Sequence, residues 1–198
     1  MAFATIDVTK GITGTIPVAN GGTGLASGTT GQFLKFTGTT TLAPAEAGGG
    51  KLLQTQSALF TSQSAHNSET YTASNYTDQI TPSATDSKIL VQFNLRSHVY
   101  QASGSECRSQ LAIYRQINGG GFSEFYPANA SVSWGIGVSS GERTMYYTPQ
   151  INFLDTTHNT TNAIDYTLYA RRNTSSTGSV NVGGSSIQAQ VILMEIAA

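Results

Sequence analysis

Charge is what this sequence has least of: Asp, Glu, Lys and Arg make up 11% of its residues, against about 25% in an average globular domain. Thr, Ser, Asn, Gln and Gly fill the gap. The chain is polar without being charged, which excludes the highly charged kind of disorder and suits a surface buried against copies of itself. The formal net charge is −1, with Lys and Arg standing singly apart from Arg171–Arg172. Without a basic stripe, nucleic acid is not expected as a partner. Cys107 is the single cysteine; it cannot form an internal disulfide and reads as a small, semi-buried residue. No apolar run approaches the roughly 18 residues of a membrane span. Met1–Gly14 lacks the basic end and apolar core of a signal peptide. The expectation is a soluble protein made in a reducing cytoplasm, with no membrane insertion.

Catalytic constellations are missing too. His66, His98 and His158 lie far apart in the chain and outside metal-ligand spacing, so each reads as a surface loop or strand residue. Asp155, His158 and Asp165 fall near one hairpin tip, but no nucleophile elbow accompanies them. Gly135–Gly141 has the spacing G-x-G-x-x-x-G without a strand-to-helix unit around it, and reads as a turn rather than a dinucleotide loop. So few acids make a paired-carboxylate glycosidase a weak reading. No enzyme activity, metal or cofactor is expected.

The sequence divides near Gly48–Gly50. Residues 1–50 carry about half of all the glycine, and Ile6, Val8, Ile12, Ile16 and Val18 are spaced mainly by polar residues, as in short extended segments. Asn20–Gly24 and Gly28–Gly31 are turn chemistry, and Gln32–Phe36 suits one short strand. This segment cannot bury a core by itself. From residue 51 to 198 the texture is regular strand. Ile89, Val91, Phe93, Leu95 and Val99 alternate with polar residues, as do Leu111, Ile113 and Ile117, and Ile164, Tyr166, Leu168 and Ala170. Met145, Tyr147, Ile151 and Phe153 repeat the pattern, with Pro149 marking an edge or bulge. Asn118-Gly119 signals a hairpin turn. Seven to nine strands, no helix, and Gly/Ser/Asn turns predict an all-β fold: an antiparallel β-sandwich or jelly-roll head behind a Gly/Thr-rich extended arm. In the last strand Ile187, Ala189, Val191 and Leu193 form one apolar face, and from Ile192 the other face turns apolar with Met194 and Ile196. A strand apolar on both faces must be covered on both, so Val191, Ile192, Met194 and Ile196 are candidates for a subunit interface.

Pro17–Gly24 followed by Thr30–Lys35 resembles a segment common in bacteriophage tail-fibre proteins. Ile80–Ser83 with Ser87–Val91, then Phe153–Asp155, then Ser185–Ile187 through Leu193–Ile196 resembles the C-terminal head of fibre-like proteins from phages of aquatic bacteria. Residues 100–145 carry no such resemblance. The likeness implies a homotrimer whose head is similar to the trimeric jelly rolls of tumour necrosis factor and complement. Residues 1–47 would dock on other virion proteins, and the protein would reside in the virion. Phage fibres carry a long repetitive shaft that these residues do not include, which favours a short spike, a fibre tip or a decoration protein.

The stretch 122–147 gathers Phe122, Phe125, Tyr126, Trp134, Tyr146 and Tyr147 among small polar residues. Rings backed by hydroxyls and amides suit sugar or protein recognition. Flanking glycines predict an irregular loop from Phe122 to Trp134, with Phe125, Tyr126 and Trp134 as candidate contacts to a host-surface glycan or protein. Three readings result: a receptor-binding spike of a bacteriophage, a capsid or tail decoration protein without receptor binding, and, last, a glycan depolymerase.

Overall fold

The computed structural model describes residues 15–16, 22–23, 25, 32–39, 41–45, 51–101, 105–126, 133–138, 141–172, 178–184 and 189–198, the side chains of 105, 126 and 133–138 excepted. The early apolar positions Ile6, Val8, Ile12 and Val18, the two turn clusters apart from Gly22 and Thr23, and Ile187 therefore fall outside the described residues. The chain divides into two units, Met1–Gly49 and Gly50–Ala198. Every regular element among the described residues is a strand, as the alternating patterns require.

In the first unit β1 (Phe33–Phe36) pairs antiparallel with β2 (Leu42–Ala45). The Thr37 amide donates to the Thr41 carbonyl at 3.0 Å and closes the connection. Phe33, Leu34 and Phe36 are all exposed. A two-stranded hairpin with its apolar side chains in solvent is at best marginal by itself.

The second unit is a two-layer sandwich. Its strands are β3 (Leu52–Phe60), β4 (Ser64–His66), β5 (Thr72–Ile80), β6 (Lys88–Asn94), β7 (Ser97–Gln101), β8 (Ser105–Ile117), β9 (Ser123–Tyr126), β10 (Ser133–Val138), β11 (Arg143–Tyr147), β12 (Gln150–Asp155), β13 (Ile164–Arg172), β14 (Ser179–Val182) and β15 (Ala189–Ile196). The front sheet has the order β10-β8-β13-β5, with β9 pairing the far end of the long β8. The other strands form two four-stranded sheets, β11-β7-β14-β4 and β12-β6-β15-β3. These run end to end: β3 continues as β4, β6 as β7, β11 as β12 and β14 as β15. Together they make one broken back sheet. Counted as limbs in chain order, the back sheet reads 1-8-3-6 and the front sheet 2-7-4-5. That is jelly-roll connectivity.

The core lies between the sheets because each limb alternates. β6 supplies Ile89, Val91 and Phe93, β13 supplies Ile164, Tyr166, Leu168 and Ala170, and β15 supplies Ala189, Val191 and Leu193, all buried. A smaller cluster of Val99, Cys107 and Val180, with Tyr147 against it, fills the other end. Cys107 is fully buried, deeper than its semi-buried expectation. Asn118 (φ 52°) and Gly119 (φ 69°) turn β8 into β9, and the Gly120 amide closes that turn on the Ile117 carbonyl at 3.0 Å. Positive φ at both central residues is the type I′ pattern that the Asn-Gly pair favours.

Three sequence expectations are corrected. Phe122–Trp134 is not wholly irregular, because Ser123–Tyr126 pairs with β8 as β9 and Ser133–Val138 begins β10. Gly135–Val138 is strand, not turn, since β8 is long enough to carry β10 and β9 in succession along one edge. His66 and His158 are buried rather than on the surface. His66 Nδ1 lies 2.7 Å from the Thr72 hydroxyl, and His158 Nε2 lies 3.4 Å from the Ala84 carbonyl.

The back-sheet break runs across neighbouring limbs at one level. Pro149 has no amide to pair and separates β11 from β12 on the edge limb, as its sequence position predicts. Its carbonyl accepts from the Leu95 amide at 3.0 Å, and the Gly183 amide donates to the Arg96 carbonyl at 2.6 Å. Tyr76 reaches across from β5, its hydroxyl 2.8 Å from the Val182 carbonyl and 2.5 Å from the Ser62 carbonyl. Burial pushes the Tyr76 phenol up to about 12, so it stays a neutral donor. Gly183 has φ +78°, and a Cβ there would sit 1.8 Å from the Tyr76 hydroxyl oxygen. Both backbone and space demand glycine. Gly183→Ala is expected to cost ~3 kcal/mol in urea unfolding, whereas Gly184→Ala should stay within about 0.5 kcal/mol, because a Cβ at Gly184 meets nothing within 4 Å.

Candidate functional site

The outer face of the back sheet carries the first site. Ile192, Met194 and Ile196 point away from the core and are half-buried. In register, Leu154 pairs with Leu90 and Leu90 with Met194, so one apolar row crosses three limbs. Leu154 is 46% exposed, and Leu52, Leu53 and Leu59 are also exposed. Leu52 lies beside Ile196 and Leu59 beside Gln190. Val191 does not belong with the outward-facing set. It is fully buried in the chain's own core, because residues on odd positions of β15 face inward.

The same inward phase carries Glu195, whose role the apolar reading of β15 passed over. Its carboxylate is fully buried. It accepts from the Gln54 amide at 2.6 Å, the Ser83 backbone amide at 2.7 Å and the Ser83 hydroxyl at 2.9 Å. Burial alone would raise its pKa, but these donors outweigh that and hold it below the ordinary value. The result is a structural anchor for the loop between β5 and β6.

Of the residues singled out for receptor contact, Phe125 faces inward. Its ring packs against Phe153 at 5.1 Å and Tyr166 at 6.3 Å, and the Arg115 guanidinium lies 4.4 Å from its centroid. Tyr126 lies in β9 opposite Ile113, and Trp134 in β10 opposite Ser109; their side chains are outside the described set. The neighbourhood of Phe125 is a buried polar knot. Asp155, fully buried, accepts from Arg115 at 2.6 Å and from the Tyr166 hydroxyl at 2.6 Å. Its other oxygen accepts from the Thr157 amide at 2.8 Å and the Thr157 hydroxyl at 3.0 Å. Burial opposes ionisation of Asp155, and the donors with Arg115 prevail, leaving its pKa low. Each oxygen of the carboxylate is satisfied by fixed partners, so the group is built for stability.

The outer face of the front sheet holds three rings that the sequence reading did not select, Tyr71, Tyr114 and Tyr169, beside Phe122, which it did. Tyr114 and Tyr169 stack at 3.8 Å with planes 22° apart. Tyr71 lies 6.3 Å from Tyr114 and Phe122 lies 6.0 Å from Tyr169. The Arg171 guanidinium covers the Tyr71 ring at 4.5 Å, and its Nε donates to Gln110 at 2.6 Å. Glu124 sits opposite Tyr114 in register. Burial, then the Glu124 charge, pushes the Tyr114 phenol up, and burial does the same to Tyr169. The signal available in the sequence was phase. Tyr169 falls on the polar phase of the Ile164–Ala170 alternation, and Tyr114 on that of Leu111–Ile117.

Among the described residues no three His, Cys, Asp or Glu side chains come close enough to hold a metal ion. No described helix is long and apolar enough to cross a membrane. No protein-family model matches the chain, and no curated protein matches it. Solved structures similar to it include particles of infectious bursal disease virus. A virus-derived T=1 particle is 12% identical over 83% of this chain with a TM-score of 0.39. The T13 particle is 13% identical over the same share with a TM-score of 0.38. The chain spans about two fifths of the length of those proteins, 40% and 39%. At this identity and score the likeness carries no functional information.

The two buried carboxylates set a pH dependence. Both are held below their ordinary values, so the stability they contribute is fully present above the unfolded values near 4 and is lost as pH falls through the folded ones. Burial also holds His66 and His98 below the ordinary imidazole value. Urea midpoints should therefore ease downward from about pH 7 to about pH 5 as the unfolded chain takes up those protons, and fall further below about pH 4 as the carboxylates are lost. In the Asp155→Asn, Glu195→Gln double variant the neutral plateau should drop and the acid limb should flatten.

Proposed function

We propose that this chain is a non-enzymatic structural component of a bacteriophage particle, a short trimeric spike or fibre whose jelly-roll head attaches to the host surface. The observation that carries the reading is the Leu154–Leu90–Met194 row with Ile192 and Ile196 beside it, an apolar sheet face that one copy leaves uncovered. An exposed contiguous apolar patch of this kind marks an association surface. A second copy is the occupant favoured by the scarcity of charge, since almost nothing on such a surface resists self-association. The exposed Phe33, Leu34 and Phe36 of the β1–β2 hairpin support a role for residues 1–47 in docking on other virion proteins or intertwining with neighbours. The resemblance of Pro17–Gly24 and Thr30–Lys35 to phage tail fibres supplies the virion setting. Asp155 and Glu195, the buried acids, are tied up in structural hydrogen bonds, which weighs against a depolymerase.

Light scattering of the full chain should give three times 20.8 kDa. Ile192→Asp or Met194→Asp should dissociate the trimer at micromolar concentration, because each would place an unpaired charge in the apolar contact. A stable wild-type monomer sinks the trimer. In a second test, removal of residues 1–47 should leave a soluble trimeric head that no longer enters particles. Incorporation at normal copy number would move docking elsewhere.

A further inference from the structure

The front sheet's outer face has a composition that packing within one chain does not require. Tyr114 and Tyr169 stand stacked on adjacent strands. In its cross-strand row Tyr169 has Ala112, fully covered, on one side and Ala73, exposed, on the other, so open low ground lies beside the ring on the β5 side. Phe122, 40% exposed, adds a ring at one edge. Arg171 and Glu124 bring one charge of each sign, and Gln110 a neutral amide. Ring faces next to low ground, fringed by hydroxyl, amide, guanidinium and carboxylate, suit a ligand with an apolar C–H face and an edge of hydroxyl groups.

We infer that this face binds a neutral oligosaccharide, with Tyr114 and Tyr169 as the stacking platform and Tyr71, Phe122, Arg171 and Glu124 as its rim. A hexose ring presents its axial C–H bonds to the outer ring faces that the Tyr114–Tyr169 stack leaves free, above all the Tyr169 face on the Ala73 side, while its equatorial hydroxyls reach Arg171 and Glu124. The opposed charges of those two side chains cancel, so a phosphate-rich polymer would find no cationic track and release few counterions. The rings also lie on the layer opposite the proposed trimer face, which leaves them open when the back sheet is covered. The assignment rests on reading the head as an attachment module, and moves recognition from the Phe125–Trp134 stretch to the sheet face.

The test uses the full-length protein against immobilised maltohexaose, cellohexaose and mannohexaose, with polygalacturonate and an oligothymidylate as anionic controls. At least one neutral oligosaccharide should bind. Tyr114→Ala and Tyr169→Ala should each weaken that binding roughly tenfold or more, while Asn162→Ala, exposed in the loop between β12 and β13, should not. Circular dichroism and light scattering on each variant check fold and stoichiometry. If a tyrosine variant fails to fold, Phe122→Ala and Arg171→Gln report on the same rim. Three results overturn the site: no neutral oligosaccharide binds, binding survives every front-face variant, or the front-face variants lose the trimer along with binding. Adsorption of labelled protein to bacterial envelopes separates the two readings. Wild-type adsorption unaffected by Tyr114→Ala removes the platform and leaves attachment standing. Sugar binding without adsorption keeps the platform and removes attachment.

Discussion

The hydroxyl of Tyr76 is the point on which the two layers of the head agree. It projects from the front sheet to carbonyls of two neighbouring back-sheet limbs at the break, at Val182 and Ser62, on the level where Pro149 has no N–H to give to a ladder. A buried break in a sheet leaves carbonyls that must find donors. Here a single O–H from the opposite layer lies within hydrogen-bond reach of two of them and its one proton is shared between them, and Gly183 has no Cβ so that the phenol can approach. With the break held, the back-sheet limbs run past it as paired segments. Two cores, one around Phe93 and Leu193 and a smaller one around Val99 and Cys107, then form end to end in one sandwich.

Scarcity of charge makes the placement of each ion consequential. The sequence has 11 acids, and two of them, Asp155 and Glu195, are fully buried. Arg115 with Tyr166 and Thr157 holds the first, and Ser83 with Gln54 holds the second. Their chemistry is used up inside the fold. What remains on the two outer faces is an apolar row on the back sheet and, on the front, a tyrosine platform fringed by Arg171 and Glu124. A sandwich with both outer faces suited to contact differs from an ordinary soluble domain, which solvates at least one of them. The proposed role in assembly and attachment rests on that difference.

Much of this was legible in the sequence because strand alternation is a period-two signal that burial on one face enforces. The inward phases of β6, β8 and β13 follow directly from Ile89–Phe93, Leu111–Ile117 and Ile164–Ala170. Asn118-Gly119 and Pro149 behave as turn and edge chemistry requires. The outward placement of Ile192, Met194 and Ile196 was also readable, while Val191 was grouped with them against its own phase. Harder to read were features set by partners distant in sequence. Glu195 is buried because Ser83 and Gln54 reach it, and His66 because Thr72 does. Phe125 turns inward because β8 continues far enough to pair β9. The tyrosine platform joins residues from separate strands, so local density of aromatics, which drew the eye to 122–147, pointed past it.

The account depends most on the back-sheet outer face being covered by another copy of the chain. A single-particle reconstruction of the purified full-length protein tests this directly. The account predicts three copies around an axis, with Met194 and Ile192 of each in contact with a neighbour and the Tyr114–Tyr169 platform facing solvent. Particles in which Met194 and Ile192 lie open to solvent, or in which the tyrosine face forms the contact, would contradict it.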